Sequence, residues 1–191
     1  MLKKVCDFYL KKKGWKIQVD LPADLRSFVF LGAPHTSNED FLPAMAIVNC
    51  MDRHARFVIK DSWMRFPFNL VLGPAGALGI NRENLKEKKG STTDVMAALF
   101  KQFPELVLMI APEGTRSANG EWKTGFYYIA QKAQVPIVLG YADFDRKVAG
   151  TGPVIYPTDF EKDMRTIMNF YKDIHGRKPA NFKLDNRFLD S

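Results

Sequence analysis

The chain has 191 residues, 46% hydrophobic and 26% charged. That is enough apolar material for a core closed without disulfides or metals, and too much for a disordered chain. The formal charge of +7 favours acidic partners: anionic lipid, an acidic carrier protein, a phosphorylated substrate or nucleic acid. No apolar run reaches the ~20 residues that cross a bilayer. The richest, residues 70–80, is broken by Gly73, Pro74, Gly76 and Gly79. Lys11, Lys12 and Lys13 interrupt any apolar core that a secretory leader would need. Cys6 and Cys50 have neither metal-ligand nor framework spacing and read as small apolar residues in a reducing compartment.

In chain order, residues 2–13 set Leu2, Val5, Cys6, Tyr9 and Leu10 among Lys3, Lys4, Lys11, Lys12 and Lys13, the pattern of a short basic amphipathic helix. With Trp15 and Lys16 it makes a basic amphipathic segment over residues 1–17. Residues 16–19 fit a short strand, and residues 28–31 a buried one. Ser37 or Asn38 caps a helix running to about Cys50, with Glu39 and Asp40 in its first turn and Pro43 near enough to its start to be tolerated. Residues 57–59 form another short strand. Ser91, with Asp94 three residues on, caps a helix through about Phe103. Residues 106–110 are the clearest buried strand. Residues 125–134 read as a helix, residues 137–141 as a strand introduced by Pro136, and residues 154–155 as a weaker strand. A last helix over residues 161–174 is stopped by Gly176, and residues 177–191 form a polar, basic tail. No repeat or linker divides the chain. The alternation predicts one α/β domain over residues 1–191: a mixed, mostly parallel central sheet covered by helices on both faces.

Two turns carry reactive groups. Gly32-Ala33-Pro34-His35-Thr36-Ser37-Asn38-Glu39-Asp40-Phe41 holds a base and a carboxylate. Five positions apart is ~140° around a helix and opposite faces of a strand, so His35 and Asp40 meet only if the chain turns between them. Thr36-Ser37-Asn38 supplies such a turn. The carboxylate there can accept from one imidazole nitrogen and leave the other free as a base. The same spacing also fits a loop histidine and an acid that complements the helix dipole. The second turn, Pro112-Glu113-Gly114-Thr115-Arg116-Ser117, directly follows the strand at 106–110, the position where α/β sheets place ligands. Gly114 permits close backbone approach, and Arg116 offers a bidentate fork for phosphate, although the stretch also fits an ordinary polar turn. Arg82, after the apolar segment 76–80, and Lys60, after the strand at 57–59, each read as an anion ligand or a solvated surface cation. The glycines at 76 and 79 do not make the dinucleotide pattern. No nucleophile elbow and no phosphate loop occur, and His54 and His175 lack ligand-spaced partners.

Together these blocks resemble the glycerolipid acyltransferase family, which includes the acyltransferases of lysophosphatidic acid. His35 and Asp40, with four residues between them, match its His/Asp signature. Gly76, Ile80 and Arg82 match its second block, Glu113-Gly114-Thr115-Arg116-Ser117 its third, and Val135-Pro136-Ile137-Val138 its fourth. The motif core covers residues 28–141. Pro34, Gly79 and Ala111 depart from the usual family residues. The resemblance implies an acyltransferase-like fold and transfer of a fatty acyl group from acyl-CoA or acyl carrier protein to the hydroxyl of a lysophospholipid such as 1-acyl-glycerol-3-phosphate. It implies His35 as general base oriented by Asp40, and Lys60, Arg82, Glu113, Gly114, Thr115 and Arg116 as substrate-binding residues. It implies no metal or other cofactor beyond the acyl donor. A lyso-aminolipid acceptor, such as a lyso-ornithine or lyso-glycine lipid, and a non-catalytic peripheral lipid-binding protein are the alternatives. The expected partners include an anionic membrane surface and no nucleic acid, and the expected place is the cytoplasm, peripheral at the inner face of the cell membrane.

Overall fold

The computed structural model describes residues 2–51, 55–60, 64–67, 69–80 and 91–189. Seven strands, β1 (Lys16–Gln18), β2 (Phe28–Gly32), β3 (Ala55–Lys60), β4 (Ala77–Ile80), β5 (Val107–Ile110), β6 (Ile137–Asp143) and β7 (Val148–Ile155), join one sheet in the order β1-β7-β6-β2-β5-β3-β4. All neighbours pair in parallel except β6 and β7, which are antiparallel. The helices are α1 (Leu2–Lys12), α2 (Phe41–Met51), α3 (Asn69–Ala75), α4 (Thr92–Gln102), α5 (Gly125–Ala133) and α6 (Phe160–Tyr171). This is the mixed, mostly parallel α/β sheet that the alternation predicts.

The central strands are apolar on both faces, as helix-covered parallel strands must be. Along β2, Phe28 and Phe30 point into one core and Val29 and Leu31 into the other. β6 does the same with Val138 on one side and Ile137 and Leu139 on the other. The first core holds Cys6 and Leu10 of α1 and Met45, Ala46, Ile47 and Val48 of α2. The second holds Ala97 and Phe100 of α4, Phe126, Ile129 and Ala130 of α5, and Met164, Ile167, Met168 and Tyr171 of α6. Each fully buried large side chain contributes roughly 1.5–3 kcal/mol. Two layers of helices clamping one sheet are the result.

Three local readings are corrected. Residues 69–80 form α3 and β4, where the sequence suggested only a glycine-broken apolar segment. Gly76 makes the turn between them with φ of 104°, and a Cβ there would sit 2.3 Å from the Ala55 carbonyl oxygen. β7 extends over Val148–Ile155 rather than two residues. Its glycines are required by close approach: a Cβ on Gly150 would lie 1.8 Å from the Gln18 carbonyl oxygen of β1, and one on Gly152 would strike the Phe170 ring. Pro153 is tolerated because β1 pairs only with residues 148–150, leaving that side of β7 without a ladder partner. Cys50 is exposed, with its sulfur 3.9 Å from Asp7 Oδ1, whereas Cys6 is the small buried residue expected.

The segment after α6 packs back onto the domain. Phe188 and Ile174 enter the core, and Asp185 is fully buried, accepting from the Trp122 and Arg187 backbone amides. Tyr171 ties the sheet to α6: its hydroxyl donates to the Leu31 carbonyl at 2.6 Å and lies 3.0 Å from that of Gly140, bridging the neighbouring strands β2 and β6. Removing this buried donor in Tyr171→Phe is expected to lower stability by about 1–3 kcal/mol. A urea titration checks this as a lowered midpoint with an unchanged slope; an unchanged midpoint contradicts the bridging role.

Candidate active site

β2 and β5 lie side by side in parallel, with Leu31 level with Ile110. The helix following β2 packs on one face of the sheet and the helix following β5 on the other. The chain therefore diverges above the carboxyl ends of these two strands, the crevice where α/β sheets bind ligands. Each strand leaves the sheet through an Ala-Pro step, Ala33-Pro34 and Ala111-Pro112, and the next residues are His35 and Glu113. The register makes them neighbours: the His35 backbone N–H donates to Glu113 Oε1 at 2.8 Å.

The chain then turns as the spacing of His35 and Asp40 requires. A short 3-10 turn over Asn38–Asp40 precedes α2, with Ser37 as its N-cap. Ser37 Oγ accepts from the Glu39 N–H, while Asp40 Oδ2 accepts from the Thr36 and Ser37 N–H groups at 2.7 and 2.8 Å. These bonds lock the carboxylate, and His35 Nδ1 lies 3.4 Å from the same Oδ2. Asp40 thus serves both readings of the spacing, capping the helix start and facing the imidazole. Its side chain is 8% exposed and that of His35 31%, so the ring is open to a ligand while the acid behind it is not. A proton on Nδ1, facing Asp40, leaves Nε2 as a free lone pair.

Glu113 is 3% exposed. Burial pushes its carboxyl above the usual range, partly offset by the His35 amide that hydrogen-bonds to it. Glu113 Oε2 and Asp40 Oδ1 are buried without a partner among the described residues. Gly114 adopts φ of 65°, and its own N–H closes the turn by donating to the Ala111 carbonyl at 3.3 Å. Thr115 Oγ1 accepts from the Ser117 N–H. Arg116 is exposed. Lys60 ends β3, on the same edge of the sheet as His35 and Glu113, level with Ile80 of β4. Arg82 lies outside the described residues.

A cavity of about 820 Å³ opens at this point. His35, Asp40 and Arg116 line it together with Phe30, Phe57 and Met109 from the sheet and Phe41, Met45 and Ile47 from α2. It runs back from the strand ends beneath α2, so a polar mouth leads into an apolar interior.

Three features here are absent from the sequence reading. The cavity lining is one, since Phe30, Phe57 and Met109 carry no motif. The second is a strap from the C-terminal segment: the Lys178 N–H donates to Thr36 Oγ1, Asn181 Nδ2 to the Thr36 carbonyl, and Arg177 Nε to Glu39 Oε2. Gly176 lies so close that a Cβ would meet Thr36 Oγ1 at 2.9 Å and Pro34 Cβ at 3.0 Å. The third is Lys123, which lies along Gly114.

A sequence model of the Acyltransferase family matches residues 21–139, which include both turns. The chain belongs to the Acyltransferase family. Among curated proteins it is similar to 1-acyl-sn-glycerol-3-phosphate acyltransferase beta from Homo sapiens, with 29% identity over 116 residues. That match covers 57% of this chain and 40% of the human protein, so the chain spans about two fifths of that relative's length. Among solved structures, the fold is similar to the crystal structure of the 1-acyl-sn-glycerophosphate (LPA) acyltransferase PlsC from Thermotoga maritima, with a TM-score of 0.59. The likeness covers 87% of this chain and 73% of that one at 16% identity, and is one of fold.

The buried Glu113 gives a pH test. Its pKa is raised in the folded state, so the stabilisation from its protonated form is complete below the ordinary carboxylate range. That contribution is lost as pH rises through the raised value. Glu113→Gln keeps an acceptor for the His35 amide and removes the charge. Its melting temperature, relative to the parent, is expected to climb across that window and then level off. A difference that stays flat with pH would show that Glu113 does not carry this burial penalty.

Proposed function

We propose that this member of the Acyltransferase family transfers a fatty acyl group from a thioester, acyl-CoA or acyl carrier protein, to the hydroxyl of a lysophospholipid. The observation that carries the reading is the placement of His35, backed by Asp40, at the mouth of an apolar cavity that Arg116 also lines. The acyl chain occupies the cavity, where each buried methylene contributes about 0.8 kcal/mol. His35 Nε2 takes the acceptor's hydroxyl proton, and the oxygen attacks the thioester carbonyl. The tetrahedral intermediate collapses, expelling the thiolate, which recovers the proton from His35. The ester is formed, the thiol is released, and donor and acceptor balance without a metal or redox cofactor.

The Gly114 N–H is engaged in its turn, while those of Thr115 and Arg116 have no acceptor among the described residues and are the candidate oxyanion donors. Arg116 holds the acceptor phosphate, with Lys60 and Arg82 as further cations. Glu113 fixes the His35 loop through the backbone and offers Oε2 to the acceptor. The curated human relative, named as a 1-acyl-sn-glycerol-3-phosphate acyltransferase, supports this choice of acceptor.

The reaction is tested by incubating the protein with acyl-CoA or acyl carrier protein and a panel of lysolipids, and identifying products by mass. His35→Ala is expected to lower turnover ~100- to 10,000-fold, and Asp40→Asn to lower it strongly, with both proteins folded. Near-normal turnover in His35→Ala rules out its role as base.

The acceptor sits in a bilayer, and no helix among the described residues is long and apolar enough to cross one. We assign surface docking to α1. Cys6 and Leu10 face α2, and Trp15 packs edge-on against Phe144, so Leu10 and Trp15 of the amphipathic segment are core residues and do not face outward. Phe8, 70% exposed, with Val5 and Tyr9, forms the outward apolar face among Lys4, Lys12 and Lys13. Lys11 is paired with Asp7 at 2.9 Å. Each free lysine contributes about 1 kcal/mol near an anionic surface. Co-sedimentation with vesicles is expected to rise with anionic lipid and fall with salt. Phe8→Ser and Lys12→Glu/Lys13→Glu variants should each sediment less; parent-like sedimentation of both removes α1 as the anchor.

A further inference from the structure

We propose that Lys123 is a phosphate ligand which, with Arg116, makes a two-cation site for a phosphate monoester on the Glu113–Arg116 turn; this rests on the acyl-transfer reading and adds a residue to it. Gly114 has φ of 65°, and a Cβ built on it would lie 2.7, 2.8 and 2.9 Å from Nζ, Cε and Cδ of Lys123. The lysine therefore lies lengthwise on the bare α-carbon of Gly114. An ordinary surface lysine keeps its rotamer freedom in water. This one is laid on the turn that carries the anion-binding arginine. Any side chain at position 114 would displace it, so the glycine serves the lysine as well as the left-handed turn.

The root of Lys123 is held firmly. Its N–H donates to the Pro112 carbonyl at 2.8 Å, tying it to the residue before Glu113. Trp122 beside it is buried: its N–H donates to Asp185 Oδ2 at 2.8 Å, its indole N–H to the Lys183 carbonyl at 3.0 Å, and its carbonyl accepts from Arg187. Arg187 in turn pairs with the buried Asp185. A buried tryptophan and an ion pair are an elaborate foundation for a solvated lysine, and a fitting one for a ligand that must be placed.

No carboxylate among the described residues pairs with Lys123 or Arg116, whereas Arg146, Arg177 and Arg187 each have one. Glu113, the acid of the same turn, directs Oε1 to the His35 amide. Lys123 lies against the turn that carries Arg116, and an anion bound there attracts both charges. A phosphate suits the pair: its oxygens accept the flat guanidinium fork on one side and a point-like ammonium on another. The bound phosphate would sit beside the turn that contacts His35, within reach of a hydroxyl a few atoms away. Both the acceptor and a coenzyme A donor carry such a group.

The experiment uses the full chain. Glycerol 3-phosphate, glycerol and coenzyme A are each titrated calorimetrically into the parent, Lys123→Ala and Lys123→Arg, with matched melting temperatures confirming folding. Lys123→Ala is expected to weaken glycerol 3-phosphate binding ~10- to 100-fold, as loss of a charged hydrogen bond does. Lys123→Arg should keep most of the affinity. If only coenzyme A binding weakens, the site stands and its phosphate is the donor's. If both ligands bind Lys123→Ala as they bind the parent, or if the parent binds neither, the proposal is overturned. Turnover of the parent with acyl-CoA and a lysolipid, measured alongside, tests the acyl-transfer reading separately, because the binding result does not depend on it.

Discussion

The parallel pairing of β2 with β5 is the constraint on which the site depends. Leu31 level with Ile110 means that two strands leave the sheet together. Each continues through Ala-Pro, and His35 and Glu113 arrive side by side, joined by a 2.8 Å hydrogen bond from amide to carboxylate. A slip of one residue would turn every β2 side chain to the other face and separate the pair. The alternating apolar residues of both strands oppose such a slip, because each face of the sheet is already filled by a helical layer. Core packing thus sets the geometry of the chemistry at the strand ends.

The C-terminal segment adds a second level of order. Its first part, around Gly176 to Asn181, holds Thr36 and Glu39 on the histidine loop. Its second part, around Lys183 to Arg187, holds Trp122 and so the chain that runs into Pro112 and Gly114. One stretch of chain therefore braces both turns of the site from outside the sheet. Tyr171 does the same from within, bridging the carbonyls of Leu31 near the end of β2 and Gly140 within β6. Functional groups held by bonds to rigid elements lose less on ordering when a ligand arrives.

Much of the fold was legible because local rules agree with tertiary demands. Ser91 and Asp94 form the expected cap, and the apolar runs at β2, β5 and β6 leave no alternative to burial. α3, β4 and β7 were hidden by glycine and proline, whose usual meaning is a break. In β7 they mark backbone approach to Gln18 and to the Phe170 ring, contacts set by residues far away in sequence. The turn between His35 and Asp40 was readable from Thr36, Ser37 and Asn38, because a strand or helix could not bring the two side chains together. Lys123 was not readable, and Gly176 was readable only as a helix stop: what distinguishes each is contact with one distant glycine or threonine. The basic residues at 177–191 suggested a solvated tail, while Asp185 and Phe188 within it are buried.

On the proposed function, the two turns act as one catalytic unit through His35, with Asp40 behind the ring and Glu113 behind the backbone. A double-mutant cycle on the turnover of acyl thioester with a lysolipid acceptor tests it most directly, using Asp40→Asn, Glu113→Ala, which removes the acceptor of the His35 amide, and the pair. Groups that act through a shared residue lose activity non-additively. The double variant is expected to lose far less than the product of the two single losses. Losses that multiply, or a parent enzyme with no turnover, would contradict it.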